Sequence, residues 1–379
     1  MGKFFQYDRQ VDENELCGLE ETKNSIVRQI NAFNSLKIYG RRNFGKTSLL
    51  KNVIGHEWQK KKGHFFVYVD LFTVENDADI SVAFSTSFSN ALERLPFSTN
   101  KIIDFVKSFK NIRPVYQISE SGIEISLKTK TKDTIPSYEE TIRTIDTLSL
   151  ERKWSVLLVM DEFQEISHIK GSGERFRRAL EGMRCKVAAV IMGSKEHFLQ
   201  KIFSNPRAPL YNWGNTVEFK EIPFKKYHDY ISAKFKKAGV FMELETSTYI
   251  QETLLREPEC INRFCDFLAE DNFEKGKITR ETVDLEFRKF VEIRQSFYAS
   301  IYSGFSHSER AYLKAIAKMS FVKEPTAKGF LENIKEVSKE GVRKIHDRLY
   351  DHSIVIKIGE SYCLSDPFLG MYIDRFIGI

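Results

Sequence analysis

The stretch YGRRNFGKTSLL, residues 39–50, holds the pattern Gly-x-x-x-x-Gly-Lys-Thr, with Gly40, Gly45, Lys46 and Thr47 at its fixed positions. Each residue type has a purpose if a polyphosphate sits there. Glycines let the backbone curl so that N–H groups, including those of Arg41, Arg42, Asn43 and Phe44, point at phosphate oxygens. Lys46 supplies a point charge for the terminal phosphates, and Thr47 offers a hydroxyl to Mg²⁺. The apolar run LKIYG (36–40) before the loop reads as a strand. TSLLKNVIG after it has helical spacing at Leu49, Leu50 and Val53. Strand, loop and helix is the order an anion site needs, because a helix start, here from Ser48 onward, presents unpaired N–H groups and a positive dipole end. An ordinary strand-to-helix turn is the alternative reading of the same residues.

The chain has 379 residues, room for two or three domains, with 42% hydrophobic and 29% charged residues, as in globular proteins. No run has the apolar length that a bilayer crossing requires, and MGKFFQYDRQVDENEL lacks an apolar core with a cleavage site. The expected location is therefore the cytoplasm, with no membrane partner. Cys17, Cys185, Cys260, Cys265 and Cys363 form no C-x-x-C pair, which excludes a thiolate metal cage and fits reduced, buried thiols. A formal charge of +6 permits nucleic-acid contact without requiring it.

Five strand-like segments, LKIYG, HFFVYVDL (64–71), SVLLVMDE (155–162), KVAAVIMGS (186–194) and NTVEFKEI (215–222), are separated by helix-length connections. Continuous apolar runs of this kind belong to a parallel sheet covered on both faces, so the expected class is α/β. Helices are expected over 20–34, 46–62, 79–94, 137–151, 172–184 and 195–203. The connection from Leu95 to about Pro136 is overlong and carries elements of its own. KIIDFVKSF reads as a helix, and GIEISLKTKTKDT as an alternating strand with Lys128, Lys130 and Lys132 in a basic tail, a solvated hairpin in preference to a binding arm. From Pro223 to about Lys289 the pattern is helical without strands, with Tyr227, Tyr230, Ile231 and Phe235 on one face. After Ile293, three short helices and a two-stranded tail turning at Gly359 are the elements of a winged helix-turn-helix. The expected domains are thus a core over 1–222 with an insert near 95–136, a helical lid over 223–292 and a winged helix over 293–379.

Hydrolysis of a bound nucleotide needs an acid to orient the metal and a group to activate water. VLLVMDEFQEI supplies Asp161 and Glu162 at the end of an apolar strand, where side chains of a parallel sheet face the ligand crevice. Asp161 would hold Mg²⁺ through water and Glu162 would orient or deprotonate the attacking water; a pair of acids ending a strand in a solvent loop is the alternative. Ser194, at the end of the next strand, is placed to sense the terminal phosphate. Arg41 and Arg42 can reach phosphates, pair with acids or face water. Arg207 is either a finger toward a neighbouring subunit or a solvated loop residue, the commoner case.

Together YGRRNFGKTSLL, LLVMDEFQEI, IMGSKEHF, PLY (209–211) and REPECINRFCDFL resemble the archaeal-type ATPases, a branch of P-loop proteins related to the AAA+ and signal-transducing STAND NTPases. The resemblance covers most of the chain, the insert included. It implies ATP as the nucleotide, a five-stranded core with an added strand between the phosphate-loop strand and the acidic strand, and a nucleotide held between core and lid. Two departures stand out. Asn212, Trp213 and Gly214 follow PLY where the family places Gly-Arg, and Arg256, Glu257 and Pro258 replace the family's Gly-x-Pro, leaving Pro258 to pack on the base.

The expected function is a slow, Mg²⁺-dependent ATP switch in which hydrolysis resets the winged helix. The segment 339–350 carries Lys339, Arg343, Lys344 and Arg348 against Glu340 and Asp347, a charge excess suited to the phosphates of duplex DNA. A winged helix that docks on a protein partner, or assembles the chain with itself, is the rival expectation.

Overall fold

The computed structural model describes residues 4–95, 112–119, 122–129, 134–237, 239–271, 276–334 and 336–378. Two compact bodies emerge: Gln10–Glu221, and Ile222–Ile379 together with Met1–Arg9.

The first body is built on strands β1 (Leu36–Tyr39), β2 (His64–Asp70), β3 (Ile112–Ser119), β4 (Gly122–Thr129), β5 (Ser155–Asp161), β6 (Lys186–Gly193) and β7 (Asn215–Glu218). Five of them form one sheet in the order β2-β5-β6-β1-β7, every pair parallel. The acidic strand β5 is thereby separated from the phosphate-loop strand β1 by β6, the added strand that the resemblance implies. Val156, Leu157, Leu158, Val159 and Met160 are all fully buried, because side chains on both faces of β5 meet covering helices. Burial of each stabilises the fold by about 1.5–3 kcal/mol.

Helices Glu20–Asn31, Asp77–Glu93, Tyr138–Arg152, Ser172–Glu181 and Glu196–Ser204 cover the sheet, within a few residues of the expected spans. The helix after the phosphate loop runs as Ser48–Gly55 with wide π-type turns and continues as His56–Gln59. Leu49, Leu50 and Val53 are its buried face. Gly55 is required there, since a Cβ would fall 2.3 Å from the Phe66 ring. Side-chain caps start two of the helices: Asn76 with Asp79, and Ser137 with Glu140, each pair satisfying N–H groups that the first turn leaves open. The insert contains an antiparallel hairpin of β3 and β4, with Leu127 buried in the main core. The expected helix KIIDFVKSF, and Lys130 and Lys132, lie outside the described residues.

In the second body the helices Phe224–Lys237, Leu244–Thr253, Pro258–Asp271 and Arg280–Ile293 pack together. Of the four residues expected on one face, Tyr227, Ile231 and Phe235 are buried and Tyr230 is half-buried. Helices alone were expected here; instead β8 (Phe241–Met242) and β9 (Lys277–Ile278) form a short parallel pair, too brief to leave an apolar period in the sequence. Asp266, buried in the helix Pro258–Asp271, accepts from the backbone N–H groups of Phe4 and Phe5 at 2.8 and 3.0 Å, which ties the N-terminal segment to this body.

The C-terminal part comprises helices Gln295–Ser303, His307–Met319, Lys328–Leu331 and Lys339–Asp351, then strands β10 (Val355–Ile358) and β11 (Ser361–Leu364) and the helix Pro367–Tyr372. Gly359 has φ +58° in the β10–β11 turn, the left-handed geometry that a two-residue hairpin loop demands. Among the described residues no helix is long and apolar enough to cross a membrane. None of the five cysteines forms a disulfide among the described residues; Cys265 and Cys363 are buried, whereas Cys17, Cys185 and Cys260 are half-buried, so the expectation of buried thiols is corrected for those three.

Candidate active site

Register places the site. Tyr39 of β1 pairs with Gly193 of β6, and Asp70 of β2 pairs with Asp161 of β5. Met160 of β5 lies opposite Ile191 of β6. The loop that begins at Gly40, the acids Asp161 and Glu162, and Ser194 therefore leave the sheet at one carboxyl edge.

The loop needs two left-handed residues, Asn43 at φ +61° and Gly45 at φ +82°. Glycine takes that geometry without strain, and asparagine tolerates it better than most residues. Gly40 serves packing: a Cβ would stand 2.5 Å from Cβ of Phe219. Phe44 is buried in the core, so its ring anchors the loop and only its backbone is left to meet an anion. The Arg41 guanidinium lies over the Phe44 ring and 3.7 Å from Glu221, and Arg42 lies over the Phe72 ring. Ser48 also proves internal: its hydroxyl accepts from Val11 N–H at 3.2 Å, leaving its helix-start backbone as its contribution to an anion.

Lys46 is the charge at the centre of this loop. Its Nζ donates to the carbonyls of Gly40 at 2.7 Å and Arg41 at 2.6 Å. Burial pushes its pKa down to about 8; the nearby Glu162 and Asp161 carboxylates oppose that fall, and Arg42 adds to it. Carbonyl dipoles solvate an ammonium less well than water does. An anion brought to the loop would relieve that cost.

Asp161 is buried and accepts at all sides. Thr47 Oγ1 donates to its Oδ2 at 2.7 Å, Tyr68 Oη to the same oxygen at 2.6 Å, and Glu162 N–H to Oδ1 at 2.8 Å. Burial raises its pKa, while the Tyr68 and Thr47 hydrogen bonds act the other way. No cluster of three or more His, Cys, Asp or Glu suited to a metal occurs among the described residues. A hydroxyl beside one carboxylate nevertheless fits Mg²⁺, which takes few protein ligands and completes its shell with water and phosphate oxygens.

Glu162 sits at φ +51°, an unusual geometry for a residue with a Cβ, costing about 1–3 kcal/mol. The following Phe163 holds it there: fully buried, its ring meets Phe176 at 5.1 Å between centroids. The turn lifts the Glu162 carboxylate off the strand, where Ser194 Oγ donates to its Oε2 at 2.9 Å and Gln164 Nε2 donates to the same oxygen. Ser194, expected to face a phosphate, is thus bonded to the carboxylate instead. A carboxylate with one oxygen held and a buried lysine nearby is equipped to orient a water against a polyphosphate.

Two contributors were missed by the sequence reading, Tyr68 and Gln164. A phenol in the otherwise apolar β2, and the glutamine inside DEFQEI, were the available signals. Arg207 is exposed in its loop. Pro258 is the first residue of the helix Pro258–Asp271 in the second body, its carbonyl accepting from Tyr227 Oη at 3.1 Å.

The chain shares its fold with the Walker-type ATPase PABY2304 of Pyrococcus abyssi, at a TM-score of 0.65 and 14% identity over 98% of this chain and 99% of that one. It also aligns with the Aeropyrum pernix ORC2 protein in ADPNP-ADP complexes, at TM-score 0.52 and 13% identity, covering 99% of this chain and 98% of that one. The Aeropyrum pernix ORC1 protein in complex with DNA aligns at TM-score 0.50 and 13% identity, covering 97% and 94%. A family model described as "Probable winged helix domain" matches residues 296–375. The fold is that of a P-loop ATPase with a C-terminal winged helix. No curated protein sequence matches the chain.

In this P-loop ATPase fold the helix Lys339–Asp351 is the fourth of the C-terminal part, where Gln295–Ser303 adds one to the three helices expected before the two strands. Val342, His346 and Leu349 form its buried face, with Ile345 half-buried. Lys339, Arg343, Lys344 and Arg348 are all exposed, but three have acidic partners. Arg343 lies 4.0 Å from Asp347 and Lys344 lies 2.9 Å from Glu340, each pair one helical turn apart. Arg348 pairs with the buried Glu309, whose pKa is lowered: hydrogen bonds from Ser306 and the Arg348 charge outweigh its burial.

Proposed function

We propose that the protein binds Mg²⁺–ATP at the Gly40–Ser48 loop and hydrolyses it, using the energy of binding as a switch for its second body. The observation that supports this most is Lys46: a buried ammonium held by the loop carbonyls of Gly40 and Arg41, next to Thr47 bonded to Asp161. Thr47 and Asp161 would hold Mg²⁺, which supplies charge neutralisation at the β- and γ-phosphates when bound. Lys46 and the loop N–H groups bind and orient the phosphates, while Arg41 and Arg42 flank them. Glu162 orients the attacking water and accepts its proton. Turnover is slow, because the exposed Arg207 follows no finger motif and transition-state charge is left partly uncompensated. The cell compartment in this reading is the cytoplasm. Calorimetric titration with ATP and Mg²⁺, followed by phosphate release, tests it.

We propose further that the winged helix contacts duplex DNA, a reading supported by the shared architecture of the Aeropyrum pernix ORC1 protein, which was solved with DNA. Lys339, Arg343, Lys344 and Arg348 would meet phosphates. The paired acids favour a second reading, docking on a protein or another copy of this chain. Lys and Arg outnumber Asp and Glu by only two across 296–375, a weak field for DNA. Anisotropy on a random duplex at low salt separates the two readings.

A further inference from the structure

We propose that Gln164 is a positioning residue for the hydrolysis: it holds Glu162 by one carboxylate oxygen and leaves the other to accept from the attacking water, and Gly193 with the Glu165–Lys195 ion pair holds Gln164 in turn. This rests on the reading of Glu162 as the water-activating residue.

Gln164 is 2% exposed and follows the buried Phe163, so its side chain has little freedom. Its amide nitrogen has two N–H donors in a fixed fork. One is directed at Oε2 of Glu162 and the other at Oε1 of Glu165, 3.1 Å away. Reversing the amide would set its oxygen against two carboxylates, so the neighbours fix its orientation. On the far side Lys195 Nζ donates to the same Oε1 of Glu165 at 3.0 Å, and Ser194 Oγ donates to the same Oε2 of Glu162 at 2.9 Å. Ser194 and Lys195 are consecutive, so the chain of contacts closes on itself: Ser194, Glu162, Gln164, Glu165, Lys195. Four side chains from the ends of β5 and β6 thus fix the carboxylate of Glu162, two directly and two through Gln164.

The amide carbonyl shows what the clamp displaces. Gln164 Oε1 is buried with no hydrogen-bond partner among the described residues, and it lies against Gly193, where a Cβ would fall 2.0 Å from it. A buried acceptor left unbonded is unfavourable. The arrangement gives up that bond and a side chain on β6 in exchange for an amide N–H aimed at Glu162. Both bonds to Glu162 land on Oε2, so Oε1 keeps its lone pairs for a water.

The test uses the full chain with Mg²⁺ and ATP. Gln164→Leu removes both donors at similar volume, and Gly193→Ala changes no polar group but drives the amide from its seat. Both should lower kcat by about tenfold or more, the scale of a misplaced reacting group, with ATP affinity within about twofold of the parent. In single-turnover measurements on a Glu162→Gln background, neither should cost anything further, because the group they position is gone. A parental kcat in Gln164→Leu would overturn the proposal. So would an equal loss in the Glu162→Gln background, or loss of ATP affinity in both variants, which would make the residues supports of the loop. Parental hydrolysis by Glu162→Gln itself would instead remove the assignment of the base on which the proposal rests.

Discussion

The phenol of Tyr68 donates to Asp161 across adjacent parallel strands, at 2.6 Å and onto the same oxygen that Thr47 reaches at 2.7 Å. Asp161 is buried, and each donor offsets part of the cost of keeping its charge there. Tyr68 therefore orients the acid that would hold Mg²⁺. Tyr68→Phe keeps the ring under Lys51 and removes only the hydroxyl. The Mg²⁺ concentration for half-maximal hydrolysis should rise by about tenfold, the usual scale for a ligand's supporting partner, while ATP affinity without Mg²⁺ stays unchanged. A Mg²⁺ titration of phosphate release reads both; an unmoved midpoint would show that Thr47 alone suffices.

Glu162→Gln keeps the side chain's shape and presents an amide oxygen to Ser194 and Gln164. ATP should bind as before, and hydrolysis should fall by about two to four orders of magnitude as proton acceptance is lost. Parental turnover would point to Glu165 as the base.

Much of this site was legible in the sequence because its parts are local. The spacing of Gly40, Gly45, Lys46 and Thr47, and the acids ending the apolar run at Asp161, are patterns within single segments. The strands that carry them were equally plain, since full burial of β5 and β6 leaves unbroken apolar runs. What stayed hidden depends on which buried polar group meets which across the sheet. Tyr68 reads as an ordinary aromatic strand residue until β2 is seen beside β5. Gln164 reads as a solvated turn residue until Gly193 is seen to make room for it. Arg348 looked uncommitted because its partner, Glu309, lies on a different helix.

That pairing sharpens the test of the winged helix. Arg343 and Lys344 are each 76% exposed, so replacing both with Ala should leave the fold intact. If they meet DNA, affinity should weaken on every sequence, and the slope of log affinity against log salt should flatten by about two units. Anisotropy at several salt concentrations measures this; parent protein that fails to bind duplex at low salt, with or without ATP, would favour the protein-docking reading.

His346 gives the winged helix a pH dependence. Burial lowers its pKa below the ordinary 6.5, with Asp347 opposing, and Tyr312 Oη lies 2.7 Å from Nδ1 amid the rings of Tyr350 and Tyr362. Below about pH 6.5 the unfolded imidazole takes up a proton that the buried one resists, so stability should fall as the pH drops through that value. Denaturant unfolding of the parent and His346→Gln at pH 7.5 and 5.5, both about a unit from the ordinary value, should show a smaller acid loss in the variant. An equal loss would assign the effect to other groups.

If the loop around Lys46 is a nucleotide site, calorimetric titration of parent and Lys46→Ala with ATP and Mg²⁺ will separate the two proteins. Lys46 is the cation that the loop carbonyls of Gly40 and Arg41 hold in place. The parent should bind one ATP per chain, and the variant should lose affinity by about a hundredfold or more, the loss of a buried charge-assisted contact. Equal affinity in the two proteins would show that the loop is not a nucleotide site.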